Sequence, residues 1–140
     1  MKHMRMALLG VFVVLAFGCG GGGANLGSGG GGGGGSSPYA GSWSGTFQDQ
    51  IPVNGSGPIT MAIEGSGKFT ATGHNNRTGT DFTGSGTVSG SGNVVGTLKI
   101  GSTDATVTGQ LFLRAGPKIE GTVYASANGK TQQLNLELQK

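Results

Sequence analysis

From Tyr39 to the C-terminus, apolar and polar residues alternate with a period of two, and no window carries the three-to-four-residue stripe of an amphipathic helix. Trp43, Gly45 and Phe47 share one face, with Ser44, Thr46 and Gln48 on the other. Ile59, Met61 and Ile63 repeat the pattern, followed by Phe69, Ala71 and Gly73, then Phe82, Gly84, Gly86 and Val88. The second half continues with Val94 to Ile100, Val107 to Leu113, Ile119 to Ala125 and Leu134 to Leu138. The opposite phase is rich in threonine throughout. Eight strands with one apolar and one polar face predict a sheet buried on one side only.

The connections between these runs are short. Gly65-Ser66, Gly90-Ser91-Gly92, Ser102-Thr103-Asp104, Gly116-Pro117 and Asn128-Gly129 read as hairpin turns. An apolar residue followed two positions later by glycine recurs at Val94/Gly96, Val107/Gly109 and Ile119/Gly121, at steps of 13 and 12 residues. One step is one strand plus one turn, so sequential strands are expected to be neighbours. Glycine inside a strand weakens it unless it provides room for a bend or a large ring. These features predict an all-β fold: an eight-stranded antiparallel up-and-down meander closing into a small barrel. A two-sheet β-sandwich fits the same alternation. Trp43, Phe47, Met61 and Phe82 are the large residues of the inward phase, and would either fill the core or line a ligand cavity.

Before this domain the chain is different in kind. Lys2 and Arg5 precede an apolar run from Met6 to Phe17, about 18 Å long as a helix and too short to cross a bilayer comfortably. Residues 1–18 therefore read as a secretory signal. The sequence Leu15-Ala16-Phe17-Gly18-Cys19 resembles the lipobox of bacterial lipoproteins, with Gly18 before the cleavage point and Cys19 as the lipidated cysteine; Ala16 stands where the family usually has Leu, Val or Ile. That resemblance implies a diacylglyceryl group on Cys19, cleavage before it and N-acylation in many bacteria. Several acyl chains together anchor stably where one chain is marginal. Gly20 occupies the place where an inner-membrane retention signal would put Asp, which implies the outer membrane in a host with two membranes. Cys19 is the only cysteine, so the β domain has no disulfide of its own.

Residues 19–37 comprise the lipidated cysteine and GGGGANLGSGGGGGGGSS, a Gly-rich tether with almost nothing to bury. As a random coil its 18 residues after Cys19 would span roughly 23 Å. The β domain then occupies residues 38–140.

Charge and chemistry narrow the function classes. Of the formal net charge of +3, Lys2 and Arg5 belong to the leader, which leaves the domain at +1 with its signs scattered. No basic stripe exists to neutralise a row of phosphates, so nucleic acid is not an expected partner. The most polar loop is HNNRTGTD, where His74, Asn75, Arg77 and Asp81 form a candidate polar rim. A metal centre needs three or four converging ligands, and none is predicted. No G-x-S-x-G elbow nominates a nucleophile, no cofactor is implied, and no catalytic residue is assigned. Outward Phe112 and Tyr124 would form an aromatic spot for a partner or a glycan if their strands pair in register.

The opening Tyr39-Ala40-Gly41-Ser42-Trp43-Ser44-Gly45-Thr46-Phe47, followed by the hairpin meander, resembles the avidin and lipocalin-like small barrels in architecture. In that likeness Trp43 is the ring that closes one end. The expectation is a membrane-anchored envelope lipoprotein with a non-catalytic structural or interaction domain. The alternative is a barrel binding a small hydrophobic ligand. Expected partners are membrane lipid through Cys19 and an envelope protein, a glycan or such a ligand.

Overall fold

The computed structural model describes residues 35–50 and 54–140. Cys19, the leader and the glycine tether up to residue 34 lie outside the described residues. Eight strands follow in chain order: β1 (Gly41–Asp49), β2 (Ser56–Ile63), β3 (Lys68–Asn75), β4 (Thr80–Val88), β5 (Asn93–Ile100), β6 (Thr103–Arg114), β7 (Lys118–Ala127) and β8 (Lys130–Gln139). Each pairs antiparallel with the next, and β8 pairs with β1. The sheet is a closed barrel with no crossover. The sandwich alternative is not the fold.

Turn chemistry sets the registers. Asn128 and Gly129 take φ of 50° and 72°, the doubly positive geometry that matches the twist of a two-residue hairpin. Between β5 and β6 the reversal comes earlier than the sequence suggests. Gly101 carries a φ of 58°, and Thr103 and Asp104 already pair with Ile100 and Lys99. The residue able to take positive φ fixes the turn, so Ser102-Thr103-Asp104 is not the loop.

The registers also fix the barrel's shape. A circuit from Gly41 passes through Ile63, Phe69, Gly86, Gly96, Val107, Ala125 and Gln132. Gln132 lies two residues before Leu134, whose partner Asp49 is eight residues beyond Gly41, so the registers are offset by ten residues over one circuit. That offset, against eight strand spacings, tilts the strands by about 40° and gives a backbone radius of about 8 Å. A cylinder of that size is nearly filled by its own side chains.

The recurrent glycines make this tight cylinder possible. Gly86 and Gly96 face each other across β4 and β5, and the edge of the Phe69 ring lies against both. A Cβ at Gly45 would collide with the backbone carbonyl of Glu137 on β8. One pair accommodates a ring, the other position a close approach of strands.

The interior is apolar from Trp43 round to Leu138, with Leu111, Ile119 and Leu138 wholly inaccessible. The outer face carries the threonines, serines and charges. This is the reverse of a membrane-spanning barrel, whose apolar side faces lipid. Leu113 departs from the inward pattern and is 41% exposed. Pairing of β6 with β5 stops at Gln110, whereas pairing with β7 runs to Arg114, so Leu113 projects past the barrel's end.

The two ends differ. The base gathers the β2–β3, β4–β5 and β6–β7 hairpins together with the start of β1 and the end of β8. Here Tyr39 folds under the barrel and donates its hydroxyl to the Leu111 carbonyl at 3.0 Å. The Trp43 indole N–H donates to the Tyr39 carbonyl at 2.8 Å, and Lys140 Nζ lies 5.0 Å above the Trp43 ring. Ser37, which the sequence groups with the tether, is already tied to the barrel through its N–H to the Gly65 carbonyl at 2.8 Å.

Candidate functional site: the barrel mouth

At the other end, β1, β3, β4, β5 and β8 and the β3–β4 connection line a cavity of about 220 Å³. Phe47, Phe82, Leu98, Ile100 and Leu134 form its apolar wall, and Asp49, Asn75, Thr78, Thr80 and Gln132 supply its polar groups. Phe47 and Phe82 meet edge to face, with ring centroids 5.2 Å apart and planes at 79°, a favoured aromatic geometry that closes the core beneath the cavity.

Strand parity places the polar pair. Asp49 follows Trp43, Gly45 and Phe47 on the inward phase of β1, and Gln132 precedes Leu134, Leu136 and Leu138 on the inward phase of β8. Asp49 is 1% exposed and is the only buried polar or charged side chain among the described residues. Its Oδ2 accepts a hydrogen bond from the Gln132 amide. Its own backbone N–H donates to the Gly55 carbonyl at 2.7 Å, which holds the strand end in place. Asn75 Oδ1 accepts from the backbone N–H groups of Arg77 and Thr78 at 3.0 and 3.3 Å. This side-chain turn shapes the β3–β4 loop over the cavity.

The residues expected at a polar rim are divided by the pleat. Asn75 lines the mouth, whereas His74 and Asp81 face outward from β3 and β4 and Arg77 is exposed in the turn. His74 Nδ1 donates to Asp81 Oδ1 at 2.6 Å, with the two side chains 43% and 87% exposed. This pair lies on the outer wall, along a shallow groove that Pro58, Ile59 and Phe82 also line. No hydroxyl among the described residues hydrogen-bonds the other ring nitrogen, and no group of three His, Cys, Asp or Glu is placed to hold a metal ion.

Of the four large inward residues, Phe47 and Phe82 reach the mouth, Trp43 seals the base and Met61 packs within the core. Phe47 and Phe82 line the mouth cavity, whereas Trp43 and Met61 border a shallow groove across β1 to β3. Asp49 and Gln132 were not among the expected site residues, although their inward parity was the signal that could have found them.

The outer wall offers less. Shallow grooves of about 300 to 390 Å³ cross β1 to β4 among threonine and serine side chains. The aromatic spot of Phe112 and Tyr124 does not form. Phe112 pairs with Glu120, and Tyr124 with Thr108, so they stand about 13 Å apart along the strands. Phe112 is covered instead by the Arg114 guanidinium, 5.5 Å from its centroid. Arg114 and Lys118 both bind Glu120, at 2.9 and 2.7 Å. Hydrogen bonds from Lys118 and Arg114 hold the Glu120 carboxyl below its ordinary pKa, and the bond to Glu120 raises that of Lys118.

Compared with protein-family models, curated proteins and solved structures, the chain matches none.

Proposed function

We propose that this protein is a bacterial envelope lipoprotein, anchored through acylated Cys19, whose barrel is a non-catalytic structural or interaction module. The observation that carries the reading of the barrel is its interior. Trp43, Phe47, Met61, Phe69 and Phe82 are all buried in one continuous core. A calyx for a hydrophobic molecule of ordinary size needs a cavity of about 300 Å³ or more. The space left at the mouth is smaller than that.

The outer face supports the same reading. A wall of threonine, serine and dispersed charge remains in water while acyl chains provide the attachment. The domain then needs no basic patch to reach a membrane, in keeping with its near-neutral charge.

Metabolic labelling tests the anchor. Radiolabelled palmitate should enter the wild-type protein expressed in a bacterial host and be absent from Cys19→Ser. Equal labelling of the two would overturn lipidation at this cysteine.

A further inference from the structure

The strand β6 is the longest of the eight, and its final residues leave the barrel. It pairs with β5 only as far as Gln110, after which the Leu111 N–H donates to the Gly92 carbonyl at 2.8 Å. From Phe112 to Arg114 it pairs with β7 alone, as a two-stranded ribbon beyond the wall.

This ribbon carries an apolar tip. Phe112 and Leu113 are 47% and 41% exposed, and Ala115, Gly116 and Pro117 after them are exposed as well. The neighbouring turns at the base are Gly65-Ser66-Gly67 and Gly90-Ser91-Gly92, with no large side chain to offer. Isolated exposed rings are ordinary surface, but an adjacent Phe-Leu pair on a projecting hairpin adds little to the core and faces water. We infer that the β6–β7 tip rests on the lipid bilayer, with Phe112 and Leu113 at the level of the headgroups. The inference builds on the anchoring of Cys19 proposed above.

Chain geometry selects the bilayer as the occupant. The polypeptide enters the barrel at the base, where the Ser37 N–H donates to the Gly65 carbonyl at 2.8 Å. Ser37 is 18 residues after Cys19, a reach of at most about 65 Å. An anchor at Cys19 thus ties the bilayer to the base, and the mouth opens a barrel's height away, roughly 20 Å. Tethering also makes the encounter intramolecular, with an effective concentration in the millimolar range for short linkers. A contact of a few side chains is then enough.

The polar groups beside the tip fit the same surface. Arg114 and Lys118 flank it, and the Arg114 guanidinium lies 5.5 Å from the Phe112 centroid. At a membrane interface such a ring can sit against acyl chains while the cation stays among phosphates. Both cations are already bound to Glu120, so the apolar side chains lead the contact. The Lys140 N–H braces the tip by donating to the Pro117 carbonyl at 3.0 Å.

The test uses the lipidated protein in nanodiscs of phosphatidylethanolamine and phosphatidylglycerol, with a nitroxide on some headgroups. Broadening of amide NMR signals by the nitroxide falls steeply with distance. Leu113, Ala115 and Gly116 should broaden several-fold more than Gly65 at the chain's entry, and Gly101 and Gly129 at the mouth least. A barrel held by its tether alone would broaden Gly65 at least as much as Gly116, and that result would overturn the inference. The double variant Phe112→Ser/Leu113→Ser should keep its palmitate and lose the excess at Ala115 and Gly116. Tyr124→Ser, on the wall, should retain that excess. An unchanged excess in the folded double variant would overturn the contact; if that variant does not fold, the wild-type comparison of Gly116 with Gly65 decides. Tip signals that broaden with protein concentration in unlabelled lipid would assign the ribbon to a second copy of the chain and overturn the lipid contact. Wild-type protein without palmitate overturns the anchor and this contact together, whereas palmitoylated protein without the Gly116 excess overturns the contact alone.

Discussion

The two ends of the barrel solve the same problem in opposite ways. At the base, a segment preceding β1 folds underneath, so that Tyr39 and Trp43 fill the opening and satisfy each other's polar groups and the Leu111 carbonyl. At the mouth, a carboxylate and an amide face inward and line a cavity. One end is finished by packing; the other keeps a hydrogen-bonded polar pair beside a cavity. A closed sheet has no edges to protect, so its ends are where a small barrel can differ from a plain folded core.

The contrast can be broken most forcefully by truncating side chains at each end. Leu111→Ala, beside Tyr39 and wholly buried, should destabilise the domain by about 4 kcal/mol in urea unfolding. Leu134→Ala borders the mouth cavity and is only half-buried, so it should cost about 2 kcal/mol. Equal losses would mean that the mouth is packed as tightly as the base.

A second pair asks whether both ends hang on one rigid wall. Gly45→Ala drives a methyl group into the Glu137 backbone carbonyl and should cost about 3 kcal/mol. Gly101→Ala meets open space at a φ of 58°, so only backbone strain opposes it, about 1 kcal/mol. A Gly45→Ala protein as stable as wild type would show that the wall gives way there.

Smaller again is the polar closure of the base. Tyr39→Phe keeps the ring and deletes the bond to the Leu111 carbonyl, with an expected loss of about 1 kcal/mol by thermal unfolding. The least effect should come from the charged belt outside. Glu120 has a lowered pKa, so its contribution is complete above the ordinary carboxylate range and is lost as pH falls through the lowered value. For Lys118, raised, the contribution is complete below the ordinary lysine value and is lost as pH climbs through the raised one. Glu120→Gln should slightly flatten the acid limb of the stability profile, and high salt should erase the difference between the proteins. A large, salt-insensitive effect would place the base's stability in its surface charges instead.

Much of the fold was legible because period two carries so much information. Phe47, Ile59, Phe69 and Phe82 could be assigned to the inside from alternation alone, and the 12-to-13-residue glycine repeat marked neighbouring strands. Closure into a barrel followed from short turns without crossovers. The finer features depended on registers, which alternation does not contain. Phe112 and Tyr124 share a face, but a four-residue offset separates them. His74 and Asp81 were expected at a polar rim; they pair across β3 and β4, and the pleat turns both outward. Asp49 was legible in phase, and its acidity drew attention away from it, because an isolated acid near a strand end usually faces water.

The contrast between the ends rests most directly on one proton. Trp43 is the only tryptophan, and its indole N–H is hydrogen-bonded inside the base. In native-state hydrogen exchange followed by NMR, this proton should exchange only with global unfolding, at the free energy that denaturant measures, whereas the Gln132 side-chain amide at the mouth should exchange far faster. Rapid exchange of the Trp43 indole in the folded protein would contradict a sealed base and the packed barrel built on it.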